Sequence, residues 1–204
     1  MGNYRFVVKI ANTENDKIES FCLPVTEETL KEKIQINNFD DNNLLLLSME
    51  RYSGLEVKKL IDSKIEQKEI NIKTLNQISE IMKDYNIDDL IVLNALISIG
   101  KIKTPQDIIK GQKYNKQYSV IYYGTELEKE RLGNYIYNEF PHKKTLCERS
   151  EEYRLKLVDD FHKTVKGEFT KYGYLVKDLK KIKAKCTNKG FQIMEEGQLY
   201  EEEG

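Results

Sequence analysis

The chain is poor in the residues that staple, metallate or anchor a protein. It has three cysteines and two histidines in 204 residues. Cys22, Cys147 and Cys186 are odd in number and far apart, which argues against a disulfide framework and fits a reducing, cytoplasmic setting. His142 and His162 are also distant from each other, and no CxxC or HxxxH pair sets two ligands one turn apart, so no metal site is expected. Apolar runs are short; none approaches the roughly 20 residues of a membrane span. The opening Met1-Gly2-Asn3-Tyr4-Arg5 shows no charged region followed by an apolar one, so no secretory leader is read. Met1-Gly2 is not a myristoylation signal either, because Phe6 stands where Ser or Thr is needed. No internal repeat and no Gly/Ser/Pro-rich linker is visible.

Catalytic motifs are missing as well. There is no GxSxG, P-loop, GxGxxG or HExxH, so neither catalysis nor a cofactor is expected. Asp159-Asp160 beside His162 is the one Asp/His cluster, but adjacent helical residues point to different faces, and a solvated surface explains it. Asp40-Asp41 and Asp88-Asp89 have the chemistry to meet a divalent cation, yet loop starts and helix caps account for them better.

What the chain does have is charge. Charged residues make up 33% and hydrophobic ones 39%, a folded composition with much surface for its core, which suggests an elongated shape or several small lobes. The net charge of −1 hides a gradient. Residues 1–100 carry 12 basic and 17 acidic side chains, whereas residues 101–204 carry 21 and 17. Such asymmetry bears on partners rather than on fold.

The patterning predicts an α+β protein. Arg5 to Ile10 reads as a strand, Asn12 to Lys17 as a turn and Ile18 to Leu23 as the returning strand, stopped by Pro24. Thr26 caps a helix with Glu27 and Glu28 in its first turn and Leu30 and Ile34 on one face. The run Leu44 to Met49 has the length of a buried strand, completing a ββαβ lobe over 1–60. Helical spacing follows in Leu75, Ile78, Ile81, Met82 and Tyr85. An Asn86-capped helix carries Leu90, Leu93, Leu96 and Ile97 and ends before Gly100; a third starts at Thr104-Pro105-Gln106-Asp107 and ends at Gly111. These make a helical middle domain, 61–112. Gln117 to Tyr123 is a strand, Thr125 and Glu128 form a capping box for a helix to about Phe140, and Ser150 caps another through Phe161. Phe169 to Val176 is a last strand, closing an α+β domain over 113–176. Residues 177–204 read as a basic extension with an acidic end, Glu201-Glu202-Glu203.

Two surfaces compete for a partner. One is acidic: Glu14, Asp16, Glu19, Glu27, Glu28, Glu32, Asp40, Asp41, Glu66, Glu69, Glu80, Asp84, Asp88 and Asp89. Duplex DNA presents one negative charge per ~1.7 Å of axis, so spaced carboxylates on a curved face can imitate it. The other is basic: Lys177, Lys180, Lys181, Lys183 and Lys185, with Tyr172 and Tyr174, suit phosphate contact and base stacking and point to a nucleic-acid-binding accessory protein of a phage or mobile element. Ordinary solubilising acids, lysines coating a terminal helix and tyrosines packing a sheet are the plain alternatives.

Four segments in order resemble the ArdA antirestriction family. Val8-Lys9-Ile10-Ala11-Asn12 followed by Leu23-Pro24-Val25-Thr26-Glu27-Glu28-Thr29-Leu30 is similar to its opening. Ile72-Lys73-Thr74-Leu75-Asn76, then Asp88-Asp89-Leu90, resembles its middle helices. Glu130-Arg131-Leu132-Gly133-Asn134-Tyr135 and Phe169-Thr170-Lys171-Tyr172-Gly173-Tyr174-Leu175 resemble its two later motifs. The match spans about residues 4–176. It implies an elongated arrangement of three small domains, a homodimer, and non-enzymatic inhibition of a host restriction-modification enzyme by occupation of its DNA groove. A CRISPR effector or another nucleic-acid-handling defence complex is a target of the same kind. Family members are commonly strongly acidic and carry a tryptophan on the second strand; this chain is near neutral and has none.

Overall fold

The computed structural model describes residues 6–51, 54–121, 128–140 and 151–189. It is an α+β protein with two small three-stranded antiparallel sheets. The chain divides into two compact units, 1–116 and 117–204.

In unit 1, strands β1 (Phe6–Asn12) and β2 (Lys17–Leu23) form the expected hairpin, and β3 (Leu44–Arg51) pairs with the other edge of β1. Alternation decides which face is covered: Phe6, Val8 and Ile10 are fully buried while Lys9 between them is exposed. Opposite Phe6 and Val8 stand Leu23 and Phe21, both buried. Helix α1 (Glu27–Ile34) starts as predicted, with the Thr26 hydroxyl accepting the Thr29 N–H at 3.3 Å, and it buries Leu30 and Ile34.

Strand β3 corrects an expectation. It lies at a sheet edge, with Leu45 and Leu47 each 39% exposed and Met49 buried. Four consecutive leucines look like a core strand, but a strand has two faces, and here the helices cover one.

Helix α2 (Leu55–Glu66) was not anticipated as an element, and the boundary expected at 60/61 runs through it. Helices α3 (Ile72–Met82), α4 (Ile87–Ser98), α5 (Pro105–Lys110) and the short α6 (Gln112–Asn115) complete the unit. Capping boxes start α4, through Asn86 and Asp89, and α5, through Thr104 and Asp107. Helix α4 buries Val92, Leu93, Asn94, Ala95 and Leu96, a wider surface than the predicted stripe; Leu90 and Ile97 are half-buried.

Asparagine amides make the joints between these elements. Buried Asn12 donates to the carbonyls of Ile34 at 2.8 Å and Gln35 at 3.3 Å, tying the hairpin to the end of α1. Asn76 grips one peptide unit twice, accepting the Val25 N–H at 2.7 Å and donating to the Val25 carbonyl at 3.0 Å. Buried Asn94 accepts the N–H groups of Glu56 and Val57, so a side chain of α4 caps α2. Gly54 is needed there: its φ is +104°, and a Cβ would lie 2.3 Å from the Asn94 amide nitrogen. Asn115 donates to the Asp89 carbonyl at 3.0 Å.

Unit 2 contains strands β4 (Tyr118–Ile121), β5 (Glu168–Thr170) and β6 (Gly173–Lys177) in the order β4-β6-β5. The single strand expected over 169–176 is instead a hairpin turning at Lys171-Tyr172, where the Thr170 hydroxyl accepts the Tyr172 N–H and donates to the Gly173 carbonyl. Helices α7 (Glu128–Glu139) and α8 (Glu151–Val165) pack on one another; a Cβ on Gly133 would lie 2.7 Å from the Arg154 carbonyl oxygen, so the crossing requires glycine. The expected caps Thr125 and Ser150, and Tyr122-Tyr123 of the predicted strand, lie outside the described residues.

The core of unit 2 is built from rings. Phe140, Phe161 and Tyr174 are buried with Ile121, Leu132, Ile136, Leu157, Val158 and Val176. The start of the basic extension belongs to this fold. It forms α9 (Leu179–Lys189), whose Leu179 and Ile182 pack against the same core. The acidic end lies outside the described residues.

Candidate functional site

The fourteen acidic residues all belong to unit 1, and all reach its surface; Asp41 and Asp89 are half-buried and the others exposed. Hydrogen bonds sort them. Asp40 is paired with Lys73 at 2.6 Å, Glu69 with Lys64 at 2.5 Å and Glu80 with Lys83 at 2.5 Å. The Asp40 and Glu80 carboxylates hold the Lys73 and Lys83 ammonium groups above the ordinary lysine range. Asp41 accepts the N–H groups of Asn37 and Asn43, both at 2.9 Å, which keep its carboxyl below the usual range and fix the 37–43 loop. Asp89 accepts the Asn86 N–H at 3.0 Å as half of a capping box. These five are engaged within the fold; the loop and cap roles of Asp41 and Asp89 were expected from the sequence, the three ion pairs with Lys64, Lys73 and Lys83 were not.

Among the described residues, nine have no ion pair: Glu14, Asp16, Glu19, Glu27, Glu28, Glu32, Glu66, Asp84 and Asp88. The hairpin tip carrying Glu14 and Asp16 is bonded to the end of α1 through Asn15 and Gln35, at 3.1 Å, and to the 37–43 loop through Glu14 and Asn43, at 3.2 Å. Glu28 and Glu32 stand one turn apart on α1, both exposed. Its own backbone N–H and the Thr26 hydroxyl keep Glu28 below the usual range, so it carries charge at neutral pH.

An open cleft of about 340 Å³ lies beside β3, lined by Phe39, Asp40, Asp41, Leu45, Lys68 and Ile70 among others. Its carboxylates are the two already engaged, by Lys73 and by backbone N–H groups. Among the described residues, no group of three or more His, Cys, Asp or Glu side chains could hold a metal ion. Asp159 and Asp160 do not converge on His162: Asp159 faces Lys129 at 3.9 Å, and the imidazole Nδ1 meets the Tyr174 hydroxyl at 2.8 Å instead. That pairing joins α8 to β6 and has no sequence signature.

The basic set is also thinned. Tyr174 is fully buried, so it stacks within the core rather than on a ligand; burial pushes its hydroxyl up to about 12. Tyr172 is half-buried. Lys183 pairs with Glu139 at 2.7 Å over the rings of Tyr135 and Phe140, and Lys181 lies 3.4 Å from Asp178. Lys177 and Lys180 are exposed, and the side chain of Lys185 lies outside the described residues.

The charge gradient changes meaning once the chain is divided at 116. Residues 1–116 carry 17 basic and 18 acidic side chains, and residues 117–204 carry 16 and 16. Lys101, Lys103, Lys110, Lys113 and Lys116, which had made the second half basic, belong to the unit that carries the acids. Among the described residues, no helix is long and apolar enough to cross a membrane. No protein-family model matches the chain, and no curated protein matches it.

Proposed function

We propose that the protein is a non-enzymatic inhibitor of a host defence nuclease, a restriction-modification enzyme or a CRISPR effector, and that it occupies the nucleic-acid site as a DNA mimic. The observation that carries this reading is the set of nine exposed acids of unit 1 that, among the described residues, have no ion pair, two of them, Glu14 and Asp16, on the hairpin tip that is bonded to the end of α1 and to the 37–43 loop. Carboxylates held on a folded surface can take the positions of phosphates against a nuclease's lysines and arginines. The collinear resemblance to ArdA proteins supports the same reading. It extends it to a three-domain arrangement, a homodimer, and action in the cytoplasm of a bacterial host.

The test is DNA cleavage by purified type I restriction enzymes and CRISPR effectors, with and without the protein. Inhibition that weakens as salt rises is expected, because the contact is electrostatic. Replacing Glu14, Asp16, Glu28 and Glu32 by glutamine and asparagine should abolish it without unfolding the protein. Full inhibition by that variant would refute mimicry, and no inhibition of any such enzyme would refute the function.

A further inference from the structure

The inhibitor reading makes no use of the corner of unit 2 where α8 ends and the β5–β6 hairpin begins. Phe169 stands there on the edge strand β5, 42% exposed. Its ring packs edge-on to Tyr174, with centroids 4.8 Å apart, and against His162 at 5.2 Å. It is therefore braced in one orientation while part of it faces water.

The imidazole beside it is oriented too. The Tyr174 oxygen accepts the Gly167 N–H at 3.0 Å and is hydrogen-bonded to Nδ1 of His162 at 2.8 Å.

Lysines are dense in this part of the chain. Lys163 follows His162 on α8, and the Lys166 N–H closes the helix on the His162 carbonyl at 2.9 Å; both side chains are exposed. Lys171 sits at the hairpin tip, its ammonium 5.4 Å from the Tyr172 ring. Between residues 161 and 189 there are nine lysines against Glu168 and Asp178. The nearest acids outside that span on α8 are Asp159 and Asp160.

We infer that this corner binds single-stranded nucleic acid, with a base stacked on Phe169 and backbone phosphates held by Lys163, Lys166 and Lys171. An exposed, braced ring in a lysine-rich segment matches the two chemistries of an unpaired nucleotide, a flat π-face and an anionic link. A duplex fits poorly, because its base faces are hidden in the stack. The site does not depend on the inhibitor reading and can stand or fall alone.

Fluorescence anisotropy of the full-length protein with labelled twelve-nucleotide oligo(U), oligo(dT) and a duplex of equal length tests it. At least one single strand should bind more tightly than the duplex; tighter binding of oligo(U) would identify RNA as the ligand, tighter binding of oligo(dT) DNA. Phe169→Ala should weaken that binding about tenfold. Phe169→Leu, which keeps apolar bulk but lacks a flat ring, should weaken it similarly while holding the fold. Lys163→Ala with Lys166→Ala should lower the slope of log affinity against log salt by about 1.4, near 0.7 for each lost phosphate contact. Equal or tighter binding of the duplex, unchanged affinity in Phe169→Leu, or no binding of either single strand at low salt would overturn the assignment.

Discussion

Unit 1 has a mostly aliphatic core, with Phe6 and Phe21, whose elements are joined by asparagine amides, whereas three packed rings stand in the core of unit 2 and a tyrosine hydroxyl joins its elements. In unit 1, Asn12, Asn76, Asn94 and Asn115 each satisfy backbone groups of a distant segment. In unit 2, Phe140, Phe161 and Tyr174 pack at centroid distances of 5.0 and 6.0 Å, and the Tyr174 hydroxyl reaches both Gly167 and His162. An amide joint is strongly directional and fixes where loops and helix ends go. A ring cluster fixes less by direction and more by volume. The first arrangement leaves the surface of unit 1 free to carry acids, and the second supports an aromatic side chain that emerges from the core at Phe169.

The contrast is most sharply tested in the rings. Phe161→Ala removes a fully buried side chain touching two other aromatics and should destabilise unit 2 by about 3–5 kcal/mol. Hydrogen exchange read amide by amide should show the loss in 117–189 and leave 6–116 protected. Equal loss in both units would mean that they unfold as one body.

Next in size is the pH effect of Tyr174 in unit 2. Tyr174 titrates near 10 in the unfolded chain and at about 12 in the fold, so between those values the unfolded state holds fewer protons. Its contribution is complete below pH 10 and is lost as pH rises through 12, about 2.7 kcal/mol in all. The measurement is the difference in denaturant midpoint between the native chain and Tyr174→Phe from pH 9 to 12, since lysines titrate in both. A difference that stays constant with pH would remove the hydroxyl from this role.

The motifs that made the sequence legible turn out to be these joints. Ala11-Asn12 places the amide that holds α1, Leu75-Asn76 places the one that grips Val25, Gly133 permits the α7–α8 crossing, and the Tyr172-Gly173-Tyr174 run turns the last hairpin and buries its tyrosine. Caps at Thr26, Asn86 and Thr104 were readable because each acts on its own first turn. The exposure of β3, the hairpin within 168–177, and the bond between His162 and Tyr174 were not. Each depends on which neighbour covers a face or approaches from another element, and no local pattern carries that. The acidic site was legible as residue types, but its division into paired and unpaired members needed the positions of Lys64, Lys73 and Lys83.

An amide joint can be broken in the same way as a ring. Asn94→Ala leaves the Glu56 and Val57 N–H groups without their acceptor at the half-buried start of α2, and should destabilise unit 1 by about 2 kcal/mol. Increased hydrogen exchange is expected first in residues 55–61. Unchanged protection there would show that α2 does not depend on the α4 side chain for its cap.

The smallest effect lies at acid pH and belongs to unit 1. Asp107 accepts the N–H groups of Lys103 at 3.0 Å and Thr104 at 2.8 Å, and the first of these does most to hold its carboxyl below the usual range. A depressed folded value means that the contribution is present above the unfolded pKa near 3.8 and is lost as pH falls through the folded one. Glu28 and Asp41 are shifted in the same direction and also belong to unit 1. Asp107→Asn keeps an acceptor oxygen but removes the charge, so at neutral pH it should change stability by less than about 1 kcal/mol. Its urea midpoint should fall less steeply than that of the native chain between pH 5 and 3. Parallel curves would mean that the acid sensitivity of unit 1 resides elsewhere, in Asp41 or Glu28, and the corresponding amide variants would then be the ones to flatten it.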